Sequence, residues 1–151
     1  MQFNQFHSVE ILIGKKLCKK LAALRIFVVG AGAIGCELLK NLAMLGIATD
    51  PDHGKIYITD PDHIEQSNLS RQFLFREQHV RTSKSRTAVA VIKTMSPAIQ
   101  LQALEQKVCE ATENIFNKQF WETKIDIVAN ALDNVKARVY VDSKCVKSLK
   151  P

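Results

Sequence analysis

Three glycines, in the run Gly30-Ala31-Gly32-Ala33-Ile34-Gly35, carry the spacing of a turn that holds a phosphate. In such a turn the first glycine permits a sharp bend, the second lets phosphate approach the backbone, and the third lets a helix pack close to a strand. The amides that open the following helix, Ala33 among them, would face the anion. Asp60 ends the next apolar run, where a carboxylate conventionally bonds ribose hydroxyls, and Asp62 lies two residues on. Asn68, Arg71 and Gln72 share one loop, and Lys84 follows near the head of a helix. A guanidinium bonds phosphate oxygens in pairs and an ammonium acts as a movable point charge. Together Arg71 and Lys84 could offset the negative charge that develops as pyrophosphate departs, which makes them the candidate catalytic pair. Asp133, with Asn134 beside it, follows the fourth apolar run. One carboxylate there could hold Mg²⁺ against the phosphates of ATP, since that ion takes few protein ligands when phosphates are present.

Each group also has a plainer reading. The glycines could form a merely tight turn, Asp60 and Asp62 could cap turns, the basic loop could be solvated surface, and Asp133 could be the N-cap of the last helix. A nicotinamide dinucleotide would use the same glycine turn. The set Arg71, Lys84 and Asp133 is what favours a triphosphate.

These residues need a scaffold of alternating strands and helices. Arg25 to Val29 is a compact β-branched run that stops at the first glycine, and Leu38, Leu39, Leu42 and Leu45 then line one helix face up to Gly46. Lys55 to Thr59 predicts a second strand. Residues 61–82 are polar and irregular, a length that in a compact domain carries function. A helix is expected from Ser83 to Met95, where Ser96-Pro97 ends it, and Ile99, Leu101 and Ala103 alternate as a third strand. Thr112 to Trp121 reads as a short helix with Ile115, Phe116 and Phe120 inward, Ile125 to Ala129 as a fourth strand, and Asn134 to Leu149 as a helix carrying Val135, Val139, Val146 and Leu149. Such alternation implies an α/β, Rossmann-like doubly wound parallel sheet. The expected strand order is 3-2-1-4, with the crevice between the first and fourth strands as the ligand site. Residues 1–24 are expected to form an N-terminal helix, with Val9, Leu12, Ile13, Leu17 and Leu21 at helical spacing after Ser8, and residues 25–151 the nucleotide-binding core.

At 151 residues, 46% hydrophobic and 24% charged, the chain is long enough to bury a core. No run of about 18 apolar residues and no leader pattern occurs, so an intracellular, cytoplasmic or nuclear, home is expected. Cys18, Cys36, Cys109 and Cys145 lie far apart without a metal-binding pair, and read as reduced thiols. The net charge of +6 is scattered among acidic residues with no aromatic-basic stripe, so nucleic acid is not expected as a partner.

Four segments together resemble a known family: Val29 to Asn41, Thr59 to Glu65, Ser67 to Phe75 and Asn130 to Asn134 look like the active adenylation domain of ubiquitin-activating enzymes, within the wider ThiF/MoeB-like superfamily. The similarity spans roughly residues 10 to 151. The resemblance implies that the C-terminal glycine carboxylate of ubiquitin or a ubiquitin-like protein attacks the α-phosphate of ATP, giving an acyl-adenylate and pyrophosphate. It implies that Gly30, Gly32, Ala33 and Gly35 form the phosphate turn and that Asp60 holds the ribose. Asn68, Arg71, Gln72 and Lys84 would contact phosphates, and Asp133 would bind magnesium, with Asn134 beside it. It also implies a thioester cysteine outside this chain, an inactive adenylation half and a conjugating enzyme as partners, and a fragment that is inactive alone. A nicotinamide-dependent oxidoreductase and a non-catalytic pseudo-adenylation scaffold are the competing readings.

Overall fold

The computed structural model describes residues 6–151, which leaves residues 1–5 of the expected N-terminal segment outside the description. Four strands, β1 (Arg25–Val29), β2 (Lys55–Thr59), β3 (Leu101–Leu104) and β4 (Ile127–Asn130), form one parallel sheet in the order β3-β2-β1-β4. Val29 pairs with Thr59 on one side and with Asn130 on the other, and Thr59 pairs with Leu104. The four carboxyl ends are therefore level along one rim.

Period-two alternation on β1 sends its side chains to two separate cores. Ile26 and Val28 pack with Cys36, Leu39 and Ala43 of α3 (Ala33–Met44) and with Ala88 and Ile92 of α4 (Lys84–Met95). Phe27 and Val29 pack on the other face with Val108, Phe116, Trp121 and Val141, the last from α5 (Val135–Ser148). The helices after β1 and β4 thus lie on opposite faces, which is the topological switch expected beside the glycine turn.

Several elements differ from the sequence reading. The N-terminal helix is two, α1 (His7–Ile13) and α2 (Lys15–Ala22), broken at Gly14 with φ +79°. Its apolar stripe is not buried: Leu12 is 82% exposed and Leu17 also faces solvent. The segment expected as a helix over 112–121 is a 3₁₀ turn (Glu110–Thr112) followed later by a π-helical turn (Phe120–Lys124). Aromatic packing overrides its helical period, because Phe27 meets Phe116, Phe120 and Trp121 at 4.9 to 5.7 Å. Ile115, expected inward, is exposed. β4 starts two residues later than expected, since Asp126 is taken by Arg25, whose Nε donates to Asp126 Oδ2 at 3.1 Å and Nη2 to Oδ1 at 2.5 Å. On α5, Val135, Val139, Val146 and Leu149 all face outward, and Val141 carries the packing. No described helix is long and apolar enough to cross a membrane.

Candidate functional site

At the end of β1 the chain reverses through Gly30, φ +106°, where a Cβ would stand 2.9 Å from the carbonyl oxygen of Ala131. A Cβ on Gly35 would collide with the Gly30 carbonyl oxygen at 2.1 Å, so helix and turn touch backbone to backbone. Gly32 is different, because a Cβ there meets nothing within 4 Å. Gly32 is also the N-cap of α3, and no side chain caps that helix. The turn therefore presents open space in front of a helix start whose amides carry the positive end of the dipole.

Asp60 leaves β2 beside this turn and is 7% exposed. Its Oδ2 accepts the Ala31 amide at 2.7 Å and its Oδ1 accepts the Asp62 amide at 2.9 Å. Burial pushes the carboxyl pKa upward, opposed by those two amides and by the charge of Lys84. The capping role does not exclude a ligand, because a carboxylate has lone pairs beyond the two used.

The irregular segment after β2 is held by its own polar groups. Asn68, buried on a 3₁₀ turn (Gln66–Ser70), accepts the Glu65 amide at its Oδ1, 3.0 Å, while its carbonyl receives the amides of Arg71 and Gln72. Arg71 projects into solvent and donates to the Ser67 carbonyl at 3.0 Å. Gln72 turns the other way: it is 4% exposed and its Oε1 has no hydrogen-bond partner. An unsatisfied buried oxygen costs about 1–3 kcal/mol, and although this oxygen is itself covered, the Gln72 residue borders the cleft. Lys84 opens α4, with its side chain 11% exposed and Nζ 3.0 Å from Asp62 Oδ2. Ser83 caps that helix through the Arg86 amide.

Beyond β4, Asn134 rather than Asp133 is the N-cap of α5, its Oδ1 accepting the Ala137 amide at 3.1 Å. That leaves the exposed Asp133 carboxylate free to face a ligand. No cluster of three metal-binding side chains occurs among the described residues, so a cation here would draw on phosphate and water for most of its shell.

Gly30, Gly32, Ala33, Asp60, Asp62, Asn68, Arg71, Gln72, Lys84, Asp133 and Asn134 all line one cleft of about 830 Å³ along the carboxyl rim. Gly35 does not line it and acts through packing. The cleft has a wall that sequence reading missed, made of the loop Gln106 to Ala111 after β3 together with Ala137 and Tyr140 of α5. Thr59 pins this loop by donating from Oγ1 to the Gln106 carbonyl at 2.5 Å. The signal was the strand order itself, since a loop after β3 must sit beside the carboxyl end of β2.

Comparison with known proteins adds independent constraints. The family described as the ThiF family matches residues 7–151. Ubiquitin-like modifier-activating enzyme 6 of Mus musculus is 49% identical over 98% of this chain, and ubiquitin-activating enzyme E1 1 of Triticum aestivum is likewise 49% identical over 98%. The chain spans 14% of the length of each. Among solved structures, E. coli tRNA N6-threonylcarbamoyladenosine dehydratase, TcdA, superposes with a TM-score of 0.84 at 23% identity, covering 97% of this chain and 57% of that one. Structures of that dehydratase in complex with ATP and with AMP superpose equally well. At that identity the likeness establishes the fold.

Proposed function

This chain belongs to the ThiF family, and on that premise we propose that it supplies the ATP-binding core of an enzyme that adenylates the C-terminal glycine of ubiquitin or a ubiquitin-like protein. The carrier's carboxylate attacks the α-phosphate, a phosphorus–oxygen bond to the leaving pyrophosphate breaks, and an acyl-adenylate forms. The observation that carries this reading is convergence. The glycine turn, Asp60, Arg71, Gln72, Lys84 and Asp133 come from five separate segments, yet they border one cleft.

Their chemistry fits ATP with Mg²⁺. The open space at Gly32 accommodates a phosphate, and the Gln72 residue borders the same cleft. Asp60 would hold the ribose. Arg71 and Lys84 would stabilise charge on the departing pyrophosphate, with positioning and electrostatics carrying the step. Asp133 would hold Mg²⁺, which supplies charge neutralisation on the phosphates. The curated relatives are named as activators of ubiquitin and ubiquitin-like modifiers, and the structurally similar dehydratase has been observed with ATP and AMP, which supports the nucleotide.

The thioester cysteine, the carrier's groove, the conjugating enzyme and an inactive adenylation half are placed by this proposal in parts of the protein outside this chain, and the chain alone is expected not to turn over. Two thiols here fit no nucleophile: burial pushes Cys36 up to about 12, and burial also raises Cys145. A cytoplasmic and nuclear location belongs to the same proposal. A nicotinamide oxidoreductase would leave Arg71, Lys84 and Asp133 without a role, and a pure scaffold would leave the convergence of Asp60, Arg71, Lys84 and Asp133 on one cleft without one.

Calorimetric titration with ATP and Mg²⁺, run beside NAD, tests the proposal. Magnesium-dependent ATP binding with no response to NAD is the expected result. Binding of NAD in preference to ATP would overturn it.

A further inference from the structure

The missed wall of the cleft is tied across to α5 by one acidic side chain. Glu113, just beyond the 3₁₀ turn that ends the wall, accepts a hydrogen bond at Oε1 from the Tyr140 hydroxyl at 2.9 Å and from Lys144 Nζ at 2.5 Å. Lys144 in turn lies 5.2 Å from the centroid of the Tyr140 ring. These three groups close a bridge between two stretches of chain that are 27 residues apart. Lys144 and Tyr140 hold the Glu113 carboxyl below the usual range, so it is ionised at neutral pH.

Both stretches border the cleft. The wall carries Lys107, Val108 and Cys109, and α5 follows directly on Asp133 and its N-cap Asn134 and carries Tyr140 itself. Neither Glu113 nor Lys144 lines the cleft. The loop's other ties are local or at its ends: Val108 is buried in the second core, Thr59 grips Gln106, and Thr112 accepts the Cys109 amide and donates to the Lys107 carbonyl at 2.6 Å. The order β3-β2-β1-β4 places the start of this wall beside Asp60, and Val108 carries it over the second core toward Val29 and α5. A nucleotide with its phosphates on the turn and its ribose at Asp60 would meet this wall with its base.

We propose that Glu113 is a positioning residue for the nucleotide base: by holding Tyr140 and Lys144 of α5 it fixes the wall formed by Gln106 to Ala111 at the width the base requires. This rests on the adenylation reading for the identity of the ligand. The bridge itself does not depend on that reading.

The variants Glu113→Ala, Tyr140→Phe, their double mutant and Glu113→Gln separate the possibilities. Tyr140→Phe keeps the ring and removes the donor, and Glu113→Gln keeps an acceptor for the Tyr140 hydroxyl while losing the ion pair. The bond is partly exposed, so its loss should weaken ATP and AMP about three- to tenfold. Binding of inorganic tripolyphosphate, measured by competition, should be unchanged because it carries no base. The double mutant should match the worse single mutant, since both break the same link. Glu113→Gln should recover most of the affinity, because an exposed ion pair contributes little.

Hydrogen exchange on the ligand-free protein supplies the second readout. Amides of Cys109, Thr112 and Glu113, all bonded within the wall, should exchange faster in Glu113→Ala. Equal losses for ATP and tripolyphosphate, additive single losses, or unchanged exchange would each overturn the proposal. Wild-type chain that binds no nucleotide, with exchange altered as expected, would sink the adenylation reading and the base-positioning role together while leaving the bridge standing.

Discussion

The Ala31 amide donates to Asp60 Oδ2 at 2.7 Å, so the glycine turn and the Asp60 carboxylate are one hydrogen-bonded unit. A change at Asp60 therefore acts on the fold as well as on the ligand. Asp60→Asn offers one acceptor where the Ala31 and Asp62 amides need two, and sets an NH₂ group against one of them. The expected cost is about 1–3 kcal/mol in urea unfolding, with a drop in ATP affinity. A variant as stable as the parent would show that these bonds do not hold the turn.

Gly32 and Gly35 should separate binding from folding. Gly32→Ala meets open space at an ordinary φ of −77°, so thermal stability should stay within about 0.5 kcal/mol of the parent while nucleotide affinity falls at least tenfold. Gly35→Ala forces a Cβ to 2.1 Å from a backbone oxygen and should cost about 3 kcal/mol whether or not ligand is present. Comparing melting curves and ATP titrations of the two proteins checks both statements. Equal stability losses would contradict the assignment of Gly32 to the ligand.

Neighbouring positions at the head of α5 divide in the same way. Asn134→Ala removes the helix cap and should lower stability by about 1 kcal/mol. Asp133→Ala removes an exposed carboxylate that caps nothing, so unfolding should be unchanged and the magnesium dependence of ATP binding should largely vanish. Retained magnesium dependence in Asp133→Ala would remove that residue from the metal role.

Two aspartates should give opposite pH responses. Hydrogen bonding from Arg25 holds the Asp126 carboxyl below its ordinary value, so its contribution is present above the unfolded pKa and lost as pH falls through the folded one. Burial raises Asp60, so its contribution is present below the unfolded pKa and lost as pH rises through the folded one. Asp126→Asn should cost about 1 kcal/mol at neutral pH, discounted for partial exposure, and flatten the acid limb. Unfolding midpoints measured between about pH 3 and pH 7 decide it, and an acid limb identical to the parent's would assign that limb to other carboxylates.

Local chemistry was legible where it is local. The run Arg25 to Val29 into three spaced glycines specifies strand, turn and helix from neighbours alone, and Asp60 follows from a strand end. The strand order followed from alternation of elements and was found as read. What failed depends on distant partners. The outward valines of α5 carry a helical period, yet β4 is an edge strand whose Val128 amide meets only the Pro151 carbonyl, and no described strand or helix packs over those valines. The Phe27, Phe116, Phe120 and Trp121 cluster, brought together from both sides of 90 residues of chain, decides the shape of 112–124 against its helical pattern. Gly14 stands alone, with no proline, asparagine or aspartate beside it to mark a break. The cleft wall at Gln106 to Ala111 has no motif at all and is defined only by being next to β2.

Because the four strand ends are level, the floor of the cleft is a ledge, with the wall at Gln106 to Ala111 beside it. Parallel neighbours lie about 4.8 Å apart, so the ends from β3 to β4 extend across about 14 Å. Such a ledge measures length. An extended ligand with a flat group at one end and its charge at the other can touch Val108, Asp60, the glycine turn and Asp133 at once, whereas a compact anion of equal charge can reach only the last two.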